Sequence, residues 1–294
     1  MTVRVIRSTD ASAPVLTQGI GSLIAVLDAC LVNGFGSTIA LGWTKPFSTT
    51  DKGMYKNSTV DGSGNTLYVD DTAVNFATIK GLTAPTSITD LTTGLFITGA
   101  INKGQSWVCI GDAHSFYFIT GREQWGIMRD VCWFGDLYST SSAYITGAIL
   151  SGSAADGVMP TSGFYQNTQN PTEGRIACSH PFWSNTNGVC SFFTIQPSDR
   201  VYMWQPLRTP GNYGCAPTWS FATTFISANP VQQATFGYTP GSLVLVCPYI
   251  PASSTVTCSV RGTTHTYEAV LLASGTSGQL STLAVETSDT WGVA

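Results

Sequence analysis

Few groupings of side chains in this sequence could do chemistry, and each has a competing structural reading. Asp112 and His114 stand two apart in SWVCIGDAHSFYFITG and could form half of a hydrolytic triad. Asp and His in a Gly-containing hairpin turn are also ordinary turn residues, and no serine sits in a G-x-S-x-G elbow. Cys178, His180, Cys190 and Cys215 supply the ligand types of a Cys3His zinc site. Their spacing matches no common module, and Pro181, Phe182 and Trp183 make His180 look like a packed loop residue. Glu123, Asp130, Asp136 and Glu173 are the candidate carboxylates for glycan cleavage, which needs two facing each other across a sugar. Each lies in a Gly- or Arg-bearing turn, and nothing pairs them. Asp70 and Asp71 followed by Thr72 could bind calcium, or simply end a strand in an Asx turn. Asn57-Ser58-Thr59 is formally a glycosylation acceptor, without meaning in a protein made by a bacterium. The expectation is a protein that is not an enzyme, with no catalytic residue, cofactor or metal.

The eight cysteines stand at 30, 109, 132, 178, 190, 215, 247 and 258, and none forms a C-x-x-C pair. Most read as small buried hydrophobes. Two pairs could be disulfides, because each brackets a turn-like stretch almost symmetrically: Cys178 with Cys190, and Cys247 with Cys258.

The elements that would have to position these residues are mostly strands. Runs rich in Val, Ile, Thr and aromatics, bounded by Gly, Pro, Asn, Asp and Ser, include 66–69, 74–79, 94–101, 106–110, 116–120 and 143–150. Further such runs continue to residue 285, and the clearest hairpin turns at 111–114. One helix is expected, at 22–33 (SLIAVLDACLVN), with Ser22 as N-cap and Gly34 and Gly36 as its stop. Leu23, Val26, Leu27, Cys30 and Leu31 fall on one face of it. The fold class is therefore mainly β, a β-sandwich or jelly-roll-like architecture with one short N-terminal helix and two β domains. The divisions are a polar arm at 1–14, a β domain at 15–150, a linker or long loop at 151–163 and a second β domain at 164–294. In the arm, the alternation of Val3, Val5 and Ile6 suits strand addition onto a neighbouring subunit.

Composition narrows the function classes. Charged residues make up only 10% of the 294 positions, against roughly a quarter in an ordinary soluble domain. Such a surface is poorly protected from self-association, which points to an assembled or extracellular protein. There are 13 Lys plus Arg against 17 acids and no basic cluster, which argues against nucleic acid. The most apolar stretch, 20–32, is too short to span a bilayer, and the start lacks the layout of a signal peptide. Trp125, Trp133, Phe134 and Tyr138 form an aromatic stretch that suits a contact surface, a sugar platform or a packed core.

Several segments carry a resemblance. LDACLVNGFGS, GW at 42–43, KPFS, MYKNS at 54–58 and LYVDD stand in the first part of the chain. WVCIGD, WFGDLYS and AYITGAI follow, then RVYMWQPLRTP, VCPYIP, VRG and LAVETSDTW. Together they resemble a family of virion structural proteins of tailed bacteriophages, from which the high cysteine content departs. The resemblance implies a subunit on the outside of the particle, in the neck or collar, on the capsid surface, or in the tail. A neck or collar sheath is the preferred place. Its implied partners are further copies of itself and other virion proteins. Its implied location is the virion, made in the bacterial cytoplasm and released by lysis. It implies no catalytic residues. The competing reading is a host-recognition protein of the tail tip or a fibre that binds surface glycan.

Overall fold

Strand geometry sends every second side chain to the same face, and in the strands of residues 66–82 and 106–121 one such face is apolar and buried. The computed structural model gathers these strands into two antiparallel sheets that share one core with a short helix. It describes residues 2–92, 94–122 and 127–136. Beyond them it describes the strand segments 138–139, 147–151, 176–178, 189–195, 223–227, 235–238, 242–245, 254–260, 263–273 and 280–287.

In chain order the first elements are β1 (Arg4–Arg7), α1 (Ser22–Leu27), β2 (Thr44–Ser48), β3 (Lys52–Lys56), β4 (Thr66–Asp70), β5 (Phe76–Leu82) and β6 (Gly94–Asn102). β2 to β6 form a five-stranded antiparallel meander in sequence order. Next come β7 (Ser106–Gly111), β8 (Ser115–Arg122), β9 (Ile127–Asp136), β10 (Tyr138–Ser139) and β11 (Gly147–Ser151). β1, β7, β8, β9 and β11 lie side by side and begin the larger sheet. Its ladder continues through β12 (Ile176–Cys178), β13 (Val189–Ile195), β14 (Thr223–Ser227) and β15 (Thr235–Tyr238). The last four strands are β16 (Ser242–Leu245), β17 (Ser254–Val260), β18 (Thr263–Ala273) and β19 (Leu280–Glu286). They reach this sheet through β18, where Leu272 pairs in parallel with Met128 of β9. The mainly β class with one short helix is what the chain adopts.

The shared core is built by alternation. Leu67 and Val69 of β4, Ala77 and Ile79 of β5, Trp107 and Cys109 of β7, Phe116 and Phe118 of β8, and Cys132 and Phe134 of β9 belong to one buried cluster. α1 supplies Leu23, Ile24, Val26 and Leu27, and the turns after it add Cys30 and Leu31. Each such Leu contributes about 1.5–3 kcal/mol relative to exposure. Met54, Tyr68 and Leu82 face the other side of the smaller sheet, where Phe47, Ile88 and Leu91 cover them.

The helix differs from expectation in two respects. Its second half, Asp28–Asn33, widens into a π-helix, and Gly34 closes it at φ 73° with its N–H donating to Ala29 O at 2.9 Å. Ser22 is not the cap. Gly21 takes the N-cap position at φ 77°, and Ser22 Oγ donates to Thr17 O and Gly19 O. The first-turn amides, which have no partner within the helix, are instead satisfied from 48 and 47 residues away: Asp71 Oδ2 accepts the N–H of Leu23 at 2.8 Å and of Ile24 at 3.3 Å. No local sequence signal could reveal that cap.

The N-terminal arm also needs correction. Val3, Val5 and Ile6 do form a strand-like run, but the strand is added to this chain's own sheet. β1 pairs antiparallel with β7, Ile6 opposite Cys109 and Val5 opposite Ile110. Ile6 is fully buried in the shared core, and Val3 is buried too. Of the stretch 151–163, expected as a linker, Ser151 ends β11, and 152–163 lie outside the described residues.

Candidate functional site

The β7–β8 hairpin turn is where polar, titratable side chains converge. Asp112 builds the turn itself: its Oδ1 accepts the N–H of His114 at 2.8 Å and of Ser115 at 3.1 Å. Its own N–H donates to Ser115 O, and its carbonyl accepts Trp43 Nε1 at 2.8 Å. That ring packs edge-on against Phe116 at 5.2 Å between centroids, so the turn is anchored to the core.

His114 leaves the turn toward the loop 57–65, which joins β3 to β4 in the other sheet. Its Nε2 lies 2.7 Å from Asp61 Oδ1, while Nδ1 is 3.9 Å from Asp112 Oδ2. The His114 hydrogen bond, helped by Ser58 Oγ at 2.8 Å, holds the Asp61 carboxyl below the usual range. The backbone joins in, Ser58 N–H donating to Ala113 O at 2.9 Å. Gly62 sits where a Cβ would meet Ser58 O at 2.6 Å, Asp136 Oδ2 at 2.8 Å and the His114 ring at 2.9 Å. Only glycine fits there.

Asp136, at the end of β9, closes the cluster. It accepts Asn57 Nδ2 at 2.9 Å, Ser63 N–H at 2.8 Å and the Ser63 hydroxyl. Burial pushes its carboxyl up, and these donors only partly pull it back. Asn57 Nδ2 also donates to His114 O at 3.1 Å. Asn57 is 2% exposed and its amide is engaged, so the formal glycosylation acceptor is closed in the folded chain.

The arrangement is a polar latch between two sheets. A hydrolytic triad needs a serine hydroxyl on the histidine, whereas the ring nitrogens of His114 face Asp61 and Asp112. The Ser58 and Ser63 hydroxyls donate to Asp61 and Asp136. Sequence reasoning found Asp112 and His114, named Asp136 only as a candidate carboxylate and Asn57 only as a glycosylation acceptor, and missed Asp61 and Ser63; only tertiary pairing brings these residues together.

The other candidates disperse. Asp70 and Asp71 point to opposite sides of β4's end. Burial acts to raise Asp70, yet Lys52 at 2.7 Å, the Thr72 hydroxyl at 2.6 Å and the Tyr68 hydroxyl at 3.1 Å outweigh it and hold the carboxyl at about 2. Asp71 turns inward onto Lys103. Among the described residues no three His, Cys, Asp or Glu side chains are grouped to hold a metal. Cys30, Cys109 and Cys132 are free and buried, and burial raises the Cys30 and Cys132 thiols.

For the expected disulfides only backbone register is described. Cys190 of β13 stands opposite Ile176, two positions along β12 from Cys178. Cys258 stands opposite His265, and Cys247 lies outside the described residues. So do Trp125, Glu123 and Glu173, and the side chains of Asp130 and Tyr138.

The aromatic contact surface is corrected at two of its four residues. Trp133 and Phe134 are both fully buried. Phe134 packs against Trp43 at 5.8 Å, and Trp133 against Tyr117 at 6.4 Å on the other face of the sheet. No protein-family model matches the chain, and no curated protein matches it in sequence.

Proposed function

We propose that this protein is a non-enzymatic structural component of a tailed-phage particle that works through subunit–subunit contacts, its place a neck or collar sheath. The observation that carries the reading is the charge content of 10% in a chain of 294 residues. A surface so poor in charge favours burial against copies and neighbours. At about 25 cal/mol per Å² of apolar area, modest contacts repeated around a ring add up. The polar cluster is consistent with this role, because its acids, amide and histidine are engaged in fastening two sheets. The glycan-binding alternative loses Trp133 and Phe134, which lie in the core. Immunogold labelling of purified particles tests the proposal. Label around the neck supports it. Absence from the particle overturns it, and label confined to fibre tips favours receptor recognition.

A further inference from the structure

The most unusual chemical juxtaposition lies away from the latch, where Lys103 enters the core. Its Nζ and the Asp71 carboxylate are both 0% exposed and in contact through Oδ1. The contact is an ion pair, and Oδ1 takes no other partner. Nζ also donates to two carbonyls, Gly19 O and Ala73 O, each at 2.8 Å. Two N–H bonds are thereby fixed on carbonyls while the nitrogen rests against the carboxyl group. On the far side, Oδ2 accepts the amides of Leu23 and Ile24.

We propose that Lys103 and Asp71 condense into an intramolecular isopeptide bond. The ammonium–carboxylate pair and the amine–carboxylic acid pair are the same atoms with one proton moved from Nζ to Oδ1. Burial favours the uncharged arrangement, and it pushes the Asp71 carboxyl up. In the neutral pair the two remaining N–H bonds hold Gly19 O and Ala73 O, and the nitrogen lone pair attacks Cγ. Negative charge then develops on Oδ2, where the two amides already donate, as in an oxyanion hole. The Cγ–Oδ1 bond breaks, and Oδ1 leaves as water with its own proton and one from Nζ. The product is a secondary amide, formed without oxidant, reductant or co-reactant. It ties the segment after β4 to the segment between β6 and β7.

Mass spectrometry of the full-length protein, unfolded before measurement, tests this. The expected mass is that of the sequence less one water. Trypsin should fail to cut after Lys103, leaving residues 57–80 joined to 81–122 as one branched peptide. In Lys103→Arg the full mass should return and the branched peptide should vanish. A wild-type chain at its full sequence mass means an ordinary buried ion pair and overturns the proposal. Loss of water that persists in Lys103→Arg, as from a succinimide at Asp61–Gly62, overturns the assignment to this pair. Because the wild-type mass and peptide are read on unfolded material, the outcome does not depend on how well the variant folds.

Discussion

Trp133 and Phe134 occupy successive positions of β9 and so face opposite sides of the larger sheet, yet neither reaches solvent. Phe134→Ala should lower unfolding stability by about 3–5 kcal/mol, the usual result of emptying a buried phenylalanine site. Chemical denaturation measures it, and a loss within experimental error would place the ring at the surface. Titration offers a second check at this scale. The Asp136 carboxyl is raised by burial, so the folded chain holds that proton more tightly than the unfolded chain. Its contribution to stability is fullest at acid pH and declines as pH rises through the raised value. Asp70, held at about 2, acts with the opposite sign. It stabilises above the ordinary carboxylate range, and that stabilisation is lost as pH falls toward the folded value. Stability curves for wild type and Asp136→Asn should therefore diverge toward neutral pH, the variant declining less. Parallel curves would show that Asp136 titrates alike in both states.

Among the elements, the helix depends on a backbone geometry that only glycine satisfies easily. Gly34 sits at φ 73°, and a Cβ there would lie 2.4 Å from Thr38 O. Gly34→Ala should cost about 1–3 kcal/mol, visible as a lowered thermal midpoint. An unchanged midpoint would mean the turn relaxes freely. Gly34 was legible because a glycine after an apolar helical run is a local signal. β4, β6, β7 and β8 were legible for the same reason, each being an alternating run between turn residues. β2 and β3 were not. Pro46 lies within β2, and lysines flank Gly53-Met54-Tyr55 in β3, so local composition argues against strands that the meander nevertheless pairs. β2 is an edge strand, where a proline does least harm. At the latch, the turn could be read because Asp112 bonds residues two and three positions on. Asp136 was legible only as an isolated carboxylate, since its partners Asn57 and Ser63 lie 79 and 73 residues away.

At the scale of the whole molecule, the first strand belongs to the fold's interior. Deleting residues 1–12 removes β1 and uncovers the core around Ile6. The truncated chain should lose cooperative unfolding or drop by several kcal/mol, on the order of the 2–5 kcal/mol for a single emptied Ile site and more. A fully stable truncated monomer would mean that the segment serves a neighbour after all. The pairing of β1 with β7 also sets an order in time. Ser8 meets Trp107 across 99 residues. At about 5–20 residues per second of synthesis, the first strand waits roughly 5–20 s for its partner to be made. The five-stranded meander, complete in sequence before β7 begins, can assemble on the ribosome during that interval. The Arg4–Arg7 segment docks only once β7 has been made, so the earliest residues translated take their place at the edge of the larger sheet after the whole meander.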